Sequence, residues 1–311
     1  MKNKAGISIL FILAIIVSYM IPLNKHVNVT NKGESEYETV MKQDILCLML
    51  SYPGYIVDLE KNNKNVYLIT KNGRKILYDD RKLKSHEERL NNPDVQDMLE
   101  VIYPLGGISD LLEKDYDPGR IRVYQLFNEV YGNSKNEIMK NLVNVNIGSG
   151  TFQFNRENAA AESLNRAIRD ILTIAKNNKT IGSYVFPCSG TFNYRYISGT
   201  SRLSPHSYGI AIDLARDKRD YWKWATREQG ASRLKSYPKE IVSIFEKNNF
   251  IWGGKWGHFD ILHFEYRPEI ILKAKYFGDK QRIRRYWYEG ISIDEEYTKN
   301  CIKKIEIVLG R

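Results

Sequence analysis

Two short apolar runs, residues 209–214 and 259–266, carry ionisable side chains that a buried strand tolerates only when they are paired or bound. The first follows Ser204, Pro205 and His206 and closes towards Asp213; the second holds Asp260 and His263. Arg195 lies just upstream of both. Together these residues supply two imidazoles and a carboxylate for a metal, a second carboxylate for a base, and a cation for an oxyanion. A chain built this way must fold so that two separate strands meet at one point.

The residue types suit a zinc hydrolase. Catalytic zinc takes three protein ligands and keeps a fourth position open. His206, Asp213 and His263 are the expected three, with Zn2+ as the expected cofactor. Zinc lowers the pKa of bound water from roughly 15.7 to about 7. A neighbouring carboxylate must then move the proton, and Asp260 is the expected base. Arg195 is the expected donor to the oxyanion. Ser204 and His258 are expected to contact substrate.

Spacing sets conditions on this reading. A strand rises about 3.3 Å per residue, so His206 and Asp213 cannot share one straight strand and one small ion. Pro205 and Gly209 supply the required bend. Positions three apart on a regular strand face opposite sides. Asp260 must therefore sit at a strand end or a bulge to reach the metal that His263 binds.

At these residues the chain resembles the VanY-like D-alanyl-D-alanine carboxypeptidase family, which also contains the L-alanyl-D-glutamate endopeptidases of bacterial and phage lysins. Ser204, His206, Gly209, Ala211 and Asp213 match its first pattern; Asp260, His263 and Phe264 match its second. The resemblance implies zinc ligation by His206, Asp213 and His263, with Asp260 as base and Arg195 against substrate. It also implies an α+β fold of the hedgehog/D,D-peptidase type: a small antiparallel sheet with flanking helices and zinc on its open face. The carboxypeptidases mostly carry Glu as the base, so Asp260 looks like the endopeptidase branch.

Each residue also has a plainer reading. Asp213 could pair with Arg216, and Asp260 could merely orient an imidazole. Arg202 and Arg216 compete with Arg195. His258 could pack or face solvent, and Glu265, on the same strand face as His263, could orient a ligand or simply pair with Arg267. The tryptophans near the motifs read as core more readily than as a sugar platform. His26 and His86 receive no role.

The 311-residue chain has formal net charge +10, spread along its length. That charge favours anionic wall polymers and membrane surfaces. No nucleic-acid motif accompanies it, and nucleic acid is not an expected partner. Residues 5–23 carry no charge and follow Lys2 and Lys4. As a helix they would span about 28 Å, near the thickness of a hydrocarbon core. Residues 1–23 are thus expected to be a signal anchor or a cleaved signal peptide. The expected location is the cell membrane, single-pass through the N-terminal helix with the catalytic domain outside, or secreted after cleavage. Cys47, Cys188 and Cys301 have no metal-ligand spacing.

The remaining organisation follows from local signals. Residues 24–39 read as a linker and 40–116 as an N-terminal subdomain. The zinc peptidase domain is placed at 117–272, with a basic, aromatic C-terminal extension at 273–311. Residues 65–78 read as a hairpin around Asn72 and Gly73, and residues 85–103 as mainly helical. A helix is expected over 155–176 with Asn155 as N-cap, and a second over 238–249. Strands are expected at 184–186, 209–214 and 259–266. The expected function is hydrolysis of the stem peptide of bacterial peptidoglycan, by a carboxypeptidase or an endopeptidase. The alternative is a catalytically silent zinc-containing module that binds the cell wall.

Overall fold

A capped helix opens the structure, a computed structural model in which residues 35–279 and 284–310 are described. In α1 (Glu36–Ser51) the Ser35 hydroxyl accepts from the Glu38 N–H while the Glu38 carboxylate accepts from the Ser35 N–H. Two otherwise unpaired donors are thereby satisfied. The helix starts inside the stretch read as linker. β1 (Ile56–Asn62), β2 (Asn65–Thr70) and β3 (Lys75–Leu77) follow as an antiparallel meander. Its second turn is the expected one at Gly73; β1 has no counterpart in the sequence reading.

The segment expected to be mainly helical is two short helices, α2 (His86–Asn91) and α3 (Val95–Leu99). Pro93 lies between them and cannot donate to a continuing helix. α4 (Tyr124–Tyr131) and α5 (Lys135–Lys140) lead to a hairpin of β4 (Leu142–Asn146) and β5 (Thr151–Asn155). α6 (Ala160–Ala175) buries Leu164, Ala167, Ile168 and Ile171, the face expected from its periodicity. It does not begin at Asn155. The Asn155 Oδ1 accepts from the Glu157 N–H at 2.9 Å, at the start of a 3₁₀ turn over Glu157–Ala159, while its Nδ2 donates to the carbonyls of Tyr131 at 3.1 Å and Tyr208 at 2.9 Å. Left-handed backbone at Asn158 and Ala159 separates the strand from the helix. Residues 184–186 are not a strand either. α7 (Lys179–Val185) takes most of them, because the Asn178 side chain caps its first turn by accepting from the N–H groups of Thr180 and Ile181.

The sheet that matters most is small. β6 (Ala211–Asp213) is followed by α8 (Arg227–Ser236), α9 (Lys239–Lys247), β7 (Phe250–Trp252) and β8 (His263–Tyr266). The strands align antiparallel in the order β6-β8-β7. Alternation along β8 sends Phe264 and Tyr266 to one face and His263 and Glu265 to the other. Phe264 stacks on Phe245 of α9, with ring centroids 4.1 Å apart, and α9 packs on α6. Truncating such a buried ring to alanine costs about 3–5 kcal/mol. The opposite face is left to carry the polar residues. α10 (Pro268–Phe277) and α11 (Glu296–Leu309) both pack against α1. Buried apolar side chains from Met41 to Ile305 form one cluster. The architecture is thus α+β, with small antiparallel sheets and flanking helices. The three cysteines are free thiols.

The membrane expectation is corrected. Among the described residues, no helix is long and apolar enough to cross a membrane. The segment expected to do so, residues 1–23, lies outside the described residues. The transmembrane helix, the membrane as a partner and a single-pass location are therefore not supported.

Candidate metal centre and pocket

Asp213 and His263 are register partners across β6 and β8, so both side chains leave the same face of the sheet. His206 comes from the 3₁₀ turn Pro205–Tyr208, which the Ser204 hydroxyl caps by accepting from the His206 N–H. The chain then reverses at Gly209, whose φ of +67° is left-handed. A Cβ there would lie 2.7 Å from Leu142 Cδ2 and 3.2 Å from the Asn155 nitrogen. The Asn155 N–H also donates to the Gly209 carbonyl at 2.8 Å. These contacts hold the bend that brings His206 back over the strand.

The three donor atoms form a close triangle. His206 Nε2 lies 3.2 Å from Asp213 Oδ1 and 3.2 Å from His263 Nδ1, and His263 Nδ1 lies 2.9 Å from Asp213 Oδ1. Tetrahedral zinc with bonds near 2.0–2.1 Å needs donors about 3.3 Å apart. The donor set and its spacing therefore fit zinc. His206 Nδ1 donates to the Thr191 carbonyl at 2.5 Å. That bond fixes the tautomer and turns a lone pair on Nε2 towards the triangle.

Behind His263 stands a buried ion-pair layer, of which the sequence reading missed Arg122. Glu265 Oε2 is 3.8 Å from His263 Nε2. Arg122 holds Glu265 through two contacts, Nε at 2.9 Å and Nη2 at 2.6 Å, and Arg267 adds a third at 3.3 Å. The plain reading of Glu265 as a partner of Arg267 is thus part of the arrangement. For Arg122 the available signal was a charge between the apolar residues Ile121 and Val123.

Charge within the site follows from these contacts. Burial alone would raise the Asp213 carboxyl, but the two imidazoles, His206 foremost, hold it well below the usual carboxylate range. Burial alone would lower the His263 imidazole, but Asp213, Glu265 and Asp260 raise it to about 10. Glu265 is likewise held low against its burial, chiefly by Arg122.

Asp260 precedes the strand instead of lying in it. Its carbonyl accepts from the His263 N–H at 3.1 Å, closing a turn, and β8 begins only at His263. The facing problem posed by a three-residue spacing disappears. Burial, with Asp213 and Asp220 adding to it, pushes the Asp260 carboxyl up to about 7, the range of a general base at neutral pH.

All seven expected site residues line one pocket of about 540 Å³: Ser204, His206, Asp213, Arg195, His258, Asp260 and His263. Arg195 is exposed, and its guanidinium makes no ion pair or hydrogen bond among the described residues. Arg216 does not pair with Asp213; it lies over the Trp224 ring at 4.5 Å. Trp252 is core; Trp256 is buried yet also lines the pocket, with Trp222, Trp224 and Tyr221. His258 also lines it, but its Nδ1 turns to Asp117 at 2.7 Å. Asp117 and His86 were not singled out from the sequence.

Comparison with known proteins matches the segment that carries both motifs. Residues 198–266 match the D-alanyl-D-alanine carboxypeptidase family. A 67-residue stretch is 40% identical to the peptidoglycan L-alanyl-D-glutamate endopeptidase CwlK of Bacillus subtilis (strain 168), covering 21% of this chain and 40% of that protein. The chain therefore spans less than half the length of this curated relative. No solved structure matches. The resemblance to the VanY-like peptidase family is borne out over the segment that carries both motifs, and both matches are to peptidases.

Proposed function

We propose that this chain is a zinc-dependent peptidase that hydrolyses a peptide bond in the stem peptide of bacterial peptidoglycan. One observation carries the reading: a His-Asp-His donor triangle opens into a pocket that also holds a raised carboxyl and an arginine unpaired among the described residues. His206 Nε2, Asp213 Oδ1 and His263 Nδ1 would hold zinc on the polar face of the sheet. Zinc bound there supplies Lewis acidity and a water that ionises near neutral pH. Asp260 takes the proton of the attacking water and returns it to the leaving amine. Arg195 meets negative charge, either the substrate carboxylate or the developing oxyanion. Trp222, Trp224 and Tyr221 wall the cleft.

Between the two specificities, the L-alanyl-D-glutamate endopeptidase type is favoured over the D-alanyl-D-alanine carboxypeptidase type. Support comes from Asp in place of Glu at position 260 and from the name of the curated relative. The silent wall-binding module is disfavoured, because a purely structural metal has no use for a nearby base. The substitution Asp260→Asn tests this directly. It is expected to lower kcat by about 100-fold or more with zinc content unchanged. Full activity in that variant would end the proposal.

A further inference from the structure

A second cluster of metal-ligating side chains lies beside the first. We propose that His86, Asp117 and His258 form a separate divalent-metal site, selective for a borderline ion such as zinc. Their donor atoms lie within 4.8 Å of one another. His258 Nδ1 is 2.7 Å and His86 Nε2 3.3 Å from the same oxygen, Asp117 Oδ2. The two imidazole rings are stacked, 5.8 Å apart and 20° from parallel. Trp222 meets His258 edge-on at 4.6 Å and limits its movement.

The donors do not satisfy one another without an ion. Asp117 Oδ2 already accepts from Arg120 Nη1 at 2.8 Å, and Oδ1 accepts from the His258 N–H at 3.0 Å. Two ring nitrogens then converge on an oxygen with two lone pairs, one of them taken. The surplus is visible: His86 Nε2 is buried and has no hydrogen-bond partner. A buried polar atom left this way is costly. A cation accepting lone pairs from both rings and from Oδ2 removes the surplus. Asp115 Oδ1 lies outside this triad, 3.9 Å from His86 Nε2 and 3.7 Å from the other ring nitrogen of His258, Nε2. Two nitrogens with carboxylate oxygen suit zinc better than calcium or magnesium, which favour oxygen alone.

Such an ion would tie α2 and the turn at Asp117 to the loop that delivers Asp260, only two residues after His258. Its role would be to position that loop.

The test is zinc stoichiometry on the full chain, after zinc loading and gel filtration, in the wild type and in His86→Gln, His258→Gln and His206→Gln. The expected counts are two equivalents in the wild type and one in each variant, with circular dichroism unchanged. The His86→Gln/His206→Gln double variant should bind none. A wild-type count below two that neither His86→Gln nor His258→Gln lowers overturns the second site. So does a count of two that survives both His86→Gln and His258→Gln. Because His206→Gln reports on the first centre alone, loss of one site is not mistaken for loss of the other.

Discussion

Asp213 on β6 and His263 on β8 sit opposite each other in register, and Asp213 Oδ1 lies 2.9 Å from His263 Nδ1. That pairing gives the site a sheet-borne base, while the turn at Pro205–Tyr208 adds His206 from above. Two donors fixed by strand register move little, which is what a metal centre requires.

Arg195 is separable from the fold. Its side chain is exposed and unpaired among the described residues, so Arg195→Ala should leave unfolding free energy within about 0.5 kcal/mol of wild type. If it meets developing negative charge, kcat/KM should fall about 100-fold or more. Urea unfolding and steady-state kinetics check the two halves. Unchanged kinetics would remove Arg195 from the mechanism.

The ion pair behind the site should matter for stability. Arg122 and Glu265 are both buried, and removing one partner leaves an uncompensated charge. Arg122→Met should destabilise by about 3 kcal/mol, and replacing both residues with apolar ones should recover much of that. Denaturant unfolding of both singles and the double variant measures the coupling. Equal losses in the Arg122 single and the double would contradict a partnered role.

The metal-free protein should lose stability as pH rises. His263 is raised to about 10 when folded, against an unfolded value near 6.5. Its contribution is therefore complete below about 6.5 and disappears as pH climbs through the folded value. The slope approaches about 1.4 kcal/mol per pH unit for one proton. In excess chelator, Tm should decline from pH 7 to pH 9, and His263→Gln should flatten that decline. A rising or flat wild-type profile would show that the Asp213–His263 pair is not charged as described.

Much of the site was legible in the sequence because its signals are chemical and local. His206, Asp213, Asp260 and His263 stand out in apolar runs, and Pro205 and Gly209 announce the bend. What escaped depended on distant partners. Asn155 resembles a helix cap in sequence, and its Oδ1 does accept from the Glu157 N–H, but left-handed backbone at Asn158 and Ala159 delays the helix to Ala160. Residues 184–186 have strand-like composition, yet the Asn178 cap draws most of them into a helix. Asp117 and His86 gain meaning only where the fold brings them to His258. The difficulty over Asp260 arose from starting β8 four residues too early; a turn occupies that space.

The most direct measurement is mass spectrometry of purified muropeptides incubated with the full chain, with and without a zinc chelator. The account predicts chelator-sensitive cleavage between L-alanine and D-glutamate, restored by added zinc. Release of a terminal D-alanine alone would replace the endopeptidase with a carboxypeptidase. Intact muropeptides in the presence of zinc-loaded protein would contradict the enzymatic reading.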